Sequence, residues 1–96
     1  MFARSSTWTG TPEALQKWAD HVTSGVAPMV RGLPSVAGAV FLLDRAGNAA
    51  MTLTLWDSEA AAQATDQFAE QSRAATVAAT GTELVARGSY EVVASS

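Results

Sequence analysis

The chain has 96 residues and a mass of 9.9 kDa, with 48% hydrophobic and 16% charged residues and a formal net charge of -3. That length supports one hydrophobic core, so residues 1–96 read as a single domain, and the acidic balance argues against nucleic acid as a partner because a phosphate-seeking surface needs excess cations. With no cysteine, disulfides, thiolate metal sites and cysteine nucleophiles are excluded; Val36 to Leu43 is too short an apolar run to cross a bilayer, and Met1 to Ser6 lacks a signal peptide's apolar stretch, so a cytoplasmic protein without membrane contact is expected.

Met1 to Trp8 mixes Phe, Thr and Trp over a strand's length and ends at the turn-prone Thr9-Gly10 pair. Thr11-Pro12-Glu13 then supplies a cap, a first-turn proline and an acidic residue for the positive end of a helix. Leu15, Trp18, Ala19, Val22, Val26 and Met29 follow at helical spacing, which predicts one buried stripe. Pro28 should kink the last turns, and Gly32 with Pro34 should stop the helix near Arg31.

Val36 to Leu43 is almost unbroken in its apolar character, which predicts a strand buried on both faces. Asp44 to Asn48 has hairpin-turn composition, and Ala49 to Trp56 returns as a strand. Period-two alternation puts Met51, Leu53 and Leu55 on one face of it, Thr52, Thr54 and Trp56 on the other. Asp57-Ser58-Glu59 repeats the capped, acidic helix start, and a helix is expected to about Arg73 with Ala61, Ala64, Thr65, Phe68 and Ser72 inward. A softer segment, Ala74 to Gly81, precedes a last strand over Glu83 to Val93.

The order β, α, β, β, α, β predicts an α+β, ferredoxin-like fold: a four-stranded antiparallel sheet with both helices on one face. The opposite face would then stand bare, and an apolar patch of several hundred Å² is unfavourable in a monomer, so a homodimer closed through the sheet faces is expected.

Two passages carry a family resemblance: Pro28 to Gly38, similar to a helix exit into a second strand, and Leu55-Trp56-Asp57-Ser58-Glu59-Ala60, similar to a Trp-x-Ser-x-Ala passage from a third strand into a second helix. On these the sequence resembles the dimeric α/β-barrel proteins, specifically the antibiotic biosynthesis monooxygenase-like group. The resemblance implies a pocket between sheet and helices in which a small aromatic or polyketide-type substrate meets dioxygen without metal or flavin, the substrate supplying its own electrons. No cofactor is then needed. Relatives that degrade haem use a histidine on the second helix; Phe68, Gln71 and Arg73 stand there, which disfavours haem chemistry.

Trp56 matches the strand-end tryptophan of that group, either donating its indole N–H to a substrate oxygen or closing the barrel end as core. Thr52 and Thr54 are its same-face neighbours, either pocket groups or hydroxyls bonded to backbone. Thr52 stands where the group commonly has Asn, and Ala62 where an aromatic hydroxyl can be found, so that catalytic set is incomplete. His21, the lone histidine, is the one ordinary acid–base candidate near neutral pH, with a half-exposed bystander as the alternative. One histidine among scattered carboxylates makes no metal site. Arg4, sharing a face with Ser6 and Trp8, and Arg73 could each receive an anionic or phenolate oxygen, or be solvated or paired. Phe68, Met29 and Trp18 are expected as apolar walls, while the small Ala61, Ala64 and Thr65 either leave a cavity or allow close packing. The leading expectation is a cofactor-independent monooxygenase-like enzyme with Trp56, Thr52 and His21 catalytic and Thr54, Phe68, Trp18 and Arg73 binding substrate. The other is a non-catalytic small-molecule-binding or structural dimer of the same fold.

Overall fold

In the computed structural model, which describes residues 1–96, strand β1 (Phe2–Thr9) leads into helix α1 (Pro12–His21), a π-helical turn (Val22–Val26) and α2 (Ala27–Arg31). Strands β2 (Val36–Asp44) and β3 (Ala49–Trp56), helices α3 (Glu59–Gln63) and α4 (Asp66–Thr80), and β4 (Glu83–Glu91) complete the chain. The sheet is antiparallel throughout, with strand order β2-β3-β1-β4. This is the expected βαββαβ arrangement, with helices against one sheet face.

The helix starts form as their residues dictate. The Thr11 hydroxyl accepts the Ala14 N–H at 3.1 Å and the Ser58 hydroxyl accepts the Ala61 N–H at 3.1 Å, each satisfying a donor that a first helical turn leaves free. The hairpin between β2 and β3 closes on Asp44, whose Oδ1 accepts the Gly47 N–H at 2.9 Å. Its carboxylate occupies the space that a Cβ on residue 47 would take, so a larger residue there would have to displace the Asp44 side chain from this bond.

Three expectations need correction. First, Pro28 does not produce a simple kink: the irregularity lies before it, where the Ala27 N–H reaches back five residues to the Val22 carbonyl. Thr23 and Ser24 hydroxyls donate to the carbonyls of Ala19 (2.7 Å) and Asp20 (2.8 Å), a back-bonding that loosens the α ladder. A π turn holds one residue more than an α turn, so the inward stripe after Trp18 runs every four residues through Val22, Val26 and Val30. Val30 is therefore 7% exposed, and Met29, expected as a wall, is 56% exposed.

Second, the second helix breaks at residues 64–65 and then continues through Ala74–Thr80, the stretch expected to be soft. The break is held by the Ala62 carbonyl, which accepts the Thr65 N–H (3.1 Å), the Thr65 hydroxyl (2.9 Å) and Arg4 Nη1 (2.8 Å). It turns Ala62 inward and Ala64 outward, against the expected stripe. Alanine favours helix strongly enough to carry α4 onward, and Gly81 stops it at φ 75°, a left-handed C-cap open to glycine without penalty. Third, β4 ends at Glu91, and Val93 lies 90% exposed beyond it.

The core sits at one end of the sheet–helix interface, where Trp8, Leu15, Trp18, Val22 and Ala50 are buried together and Phe41, Leu43 and Leu84 pack against them. The sheet's other face presents Val40, Leu42, Met51 and Tyr90, 37–55% exposed in the single chain. No helix is long and apolar enough to cross a membrane.

Candidate functional site

Antiparallel register decides what faces the helices. Phe41 lies opposite Thr52, Arg4 between Thr54 and Ser89, and Ser6 between Thr52 and Arg87. Directly paired residues share a sheet face, so Arg4, Ser6, Trp8, Thr52, Thr54, Trp56, Arg87 and Ser89 form one surface. Above it stand Trp18, Val22, Val26 and Val30 from the first helical layer and Thr65, Phe68, Ser72, Arg73 and Thr76 from the second. Between them lies a cavity of about 740 Å³, bounded by all of these side chains. That volume falls in the range of small-molecule sites, roughly 300–1,000 Å³.

Of the residues singled out from the sequence, Trp56, Thr52, Thr54, Phe68, Trp18 and Arg73 all border this cavity. His21 does not: it lies half-buried in the last turn of α1, one residue before inward-facing Val22, and the helix turns it away. The corrected helix register likewise excludes Met29 and Ala64.

The floor is a polar ladder under aromatic rings. Trp56 Nε1 donates to Thr54 Oγ1 at 3.0 Å, and the Thr54 hydroxyl lies 3.4 Å from the Arg4 carbonyl. Trp8 Nε1 reaches Thr52 Oγ1 at 3.3 Å, and that hydroxyl reaches the Ser6 carbonyl at 3.5 Å. The Trp56 N–H is thus bonded to a threonine in the free protein. The contacts of Thr52 are the longer and weaker ones, leaving it the more readily diverted of the two hydroxyls. Thr54→Val should strand the buried Trp56 N–H and lower stability by about 1–3 kcal/mol, whereas Thr54→Ser keeps the acceptor. Urea denaturation of both variants checks this through the midpoint at unchanged slope. On the opposite wall Trp18 is 1% exposed, and its Nε1 is a buried polar atom with no partner in the protein.

The lining has a charge pattern unlike the chain as a whole. Arg4, Arg73 and Arg87 all border the cavity, three of the chain's six Lys and Arg residues, and no Asp, Glu, His, Lys or Tyr joins them. Arg4 is paired: it contacts Asp66 at the start of α4 as well as the Ala62 carbonyl. Arg73 and Arg87 make no salt bridge and no side-chain hydrogen bond. Burial, then repulsion from Arg87 and Arg4, pushes the Arg73 guanidinium below its ordinary pKa, partly offset by Glu70 and Asp66. Arginine nevertheless stays charged, so the cavity carries an uncompensated positive field. Sequence reading missed Arg87, because its face becomes known only once β4 is paired with Ser6 of β1; the Arg87–Ser89 alternation was the available signal.

No protein-family model matches the chain, and no curated protein matches it in sequence. Its fold does match solved structures over nearly its full length. A monooxygenase from the ActVA-Orf6 gene of Streptomyces coelicolor, in complex with nanaomycin D, superposes with a TM-score of 0.71 at 20% identity, covering 99% of this chain and 91% of that one. HapK from Hahella chejuensis gives 0.76 at 14% identity, covering 100% and 96%. SnoaB, a cofactor-independent oxygenase from Streptomyces nogalater, gives 0.62 at 19% identity, covering 98% and 92%. The resemblance carried by Pro28 to Gly38 and Leu55 to Ala60 therefore extends to the fold of the whole chain.

Proposed function

We propose that this chain is a cofactor-independent oxygenase acting on a small aromatic or polyketide-type phenol, bound flat over the Trp8–Trp56 floor of the cavity. The observation that carries the reading is the cavity itself, an aromatic chamber with a threonine ladder on a fold shared with an oxygenase and a monooxygenase. Its lining offers no group that titrates near neutrality, so the acidity has to reside in the substrate. The field of the two unpaired arginines, Arg73 and Arg87, favours the phenolate over the phenol and thereby the carbanion-like ring carbon conjugated with it. Dioxygen takes up that carbon's electrons: a ring CH2 and O2 give C=O and H2O, with no external reductant. The protein's part is to hold the ring in place and keep bulk water out.

Thr52 and Thr54 align the ring through their hydroxyls, Trp56 backs it, and Phe68 and Trp18 form the walls. A non-catalytic binding dimer is the second reading, favoured by the Trp56 N–H already bonded to Thr54 and by Thr52 and Ala62 in place of stronger polar groups. Oxygen uptake with anthrone as probe separates the two. The oxygenase reading expects uptake above the spontaneous rate, reduced on the order of tenfold to a hundredfold in Trp56→Ala through loss of positioning. Uptake no faster than in buffer, with anthrone nonetheless bound, would leave the binding reading.

The same proposal includes a homodimer closed over the outer sheet face. Val40, Leu42 and Met51 form a half-exposed apolar patch there, beside the less exposed Leu53 and Leu55. Contiguous apolar surface of this kind favours association.

A further inference from the structure

We propose that the ligand of this cavity carries a carboxylate, held between Arg73 of α4 and Arg87 of β4, a role that rests on the cavity being a small-molecule site but not on oxygen chemistry. Two observations carry it. The chain is acidic overall, yet the cavity gathers half of its cations and excludes every carboxylate. Within that group Arg4 already has its anion, Asp66, whereas Arg73 and Arg87 have none.

Arg73 is half-buried, and the nearest acidic residue on its own helix, Glu70, makes no salt bridge with it. Arg87 is exposed; holding the half-buried, unpaired Arg73 guanidinium beside it costs the empty protein stability, and an anion between the two removes that cost. A planar carboxylate suits guanidinium donors, which can meet its two oxygens in parallel hydrogen bonds. The fold sets the geometry: α4 and edge strand β4 bring Arg73 and Arg87 to the same cavity, near enough for the charge of Arg87 to act on Arg73. A ligand whose rings lie on the Trp8–Trp56 floor would project its acid group toward that pair. The field that favours a phenolate elsewhere in the cavity keeps its positive sign, because one carboxylate neutralises only one of the two unpaired guanidiniums.

All three tryptophans, Trp8, Trp18 and Trp56, border the cavity, so intrinsic fluorescence reports on its occupancy. The experiment titrates the purified protein with anthraquinone-2-carboxylate and, separately, with its methyl ester. The acid is expected to bind at least tenfold more tightly than the ester. Arg73→Gln and Arg87→Gln should each abolish most of that preference, Arg73→Lys should retain part of it, and Arg45→Gln, on the distant hairpin, should retain all of it. Without ligand, Arg73→Gln should also melt at a higher temperature than the parent, the opposite of what loss of a structural ion pair would do. Equal binding of acid and ester, absence of binding by both, or an equal loss in Arg45→Gln would overturn the proposal. An acid preference in a protein that consumes no oxygen sinks the oxygenase reading alone; equal binding by one that does consume oxygen sinks the carboxylate clamp alone.

Discussion

Trp18→Ala is expected to lower the unfolding free energy by about 3–5 kcal/mol, the usual cost of emptying a buried aromatic position. Trp18 is 1% exposed and belongs at once to the core cluster with Trp8, Leu15, Val22 and Ala50 and to the cavity wall, so the void would merge with the cavity instead of closing. A domain of this size has roughly 5–14 kcal/mol in all, which makes the variant marginal at room temperature. Trp18→Phe should behave differently. It keeps most of the ring, and it deletes an N–H that has no partner, an atom whose burial is itself unfavourable by about 1–3 kcal/mol. The two effects oppose each other, so Trp18→Phe should stay within about 1 kcal/mol of the parent on the scale of tolerated core swaps. Urea unfolding followed by circular dichroism gives both values; a Phe variant as damaged as the Ala variant would mean that the N–H has a partner after all.

Val40→Glu/Leu42→Glu is expected to convert the proposed dimer to a monomer of 9.9 kDa without unfolding it. In the single chain these side chains are 49% and 51% exposed, so the substitutions remove little intramolecular packing, and surface changes of this sort stay within about ±0.5 kcal/mol. Against a second sheet, the same glutamates would bury two charges per subunit with no cation opposite, and an uncompensated buried charge costs on the order of several kcal/mol. Light scattering at micromolar concentration separates the states. A parent protein of monomer mass would contradict the dimer; so would a double variant that stays dimeric.

The architecture was legible because its signals are local. Thr11-Pro12-Glu13 and Asp57-Ser58-Glu59 mark helix starts, the Asp44–Asn48 turn marks a hairpin, and period-two alternation in Ala49–Trp56 already assigned Thr52, Thr54 and Trp56 to one face. The errors came where one residue's insertion changes phase. The π turn at Val22–Val26 leaves composition untouched yet exchanges Met29 for Val30, and the break at residues 64–65 rests on an Arg4 contact 58 residues away in sequence. Helix α4 outlasted its expected end because alanine propensity needs no apolar stripe to extend a helix.

For the site, alternation on β3 brought Thr52, Thr54 and Trp56 to the cavity, and Trp18, Phe68 and Arg73 border it from the helices as expected. His21 looked chemically suited but its helical phase turns it from the cavity, whereas Arg87 looked ordinary until strand pairing aligned it with Ser6. Acid–base aptitude is a property of a side chain; membership of a site is a property of register and helix phase. The hydrogen bond from Trp56 to Thr54 was equally invisible, since two same-face residues on a strand have room for several rotamers.

The most direct test is a crystal structure of the protein soaked with an anthrone-type phenolic. Planar density is expected against Trp56 and Trp8, in the 740 Å³ space between the sheet and the Val22–Val26–Val30 stripe. A closed interface filled by Phe68 and Trp18, with no ligand in it, would contradict a functional cavity and reduce the chain to a packing scaffold.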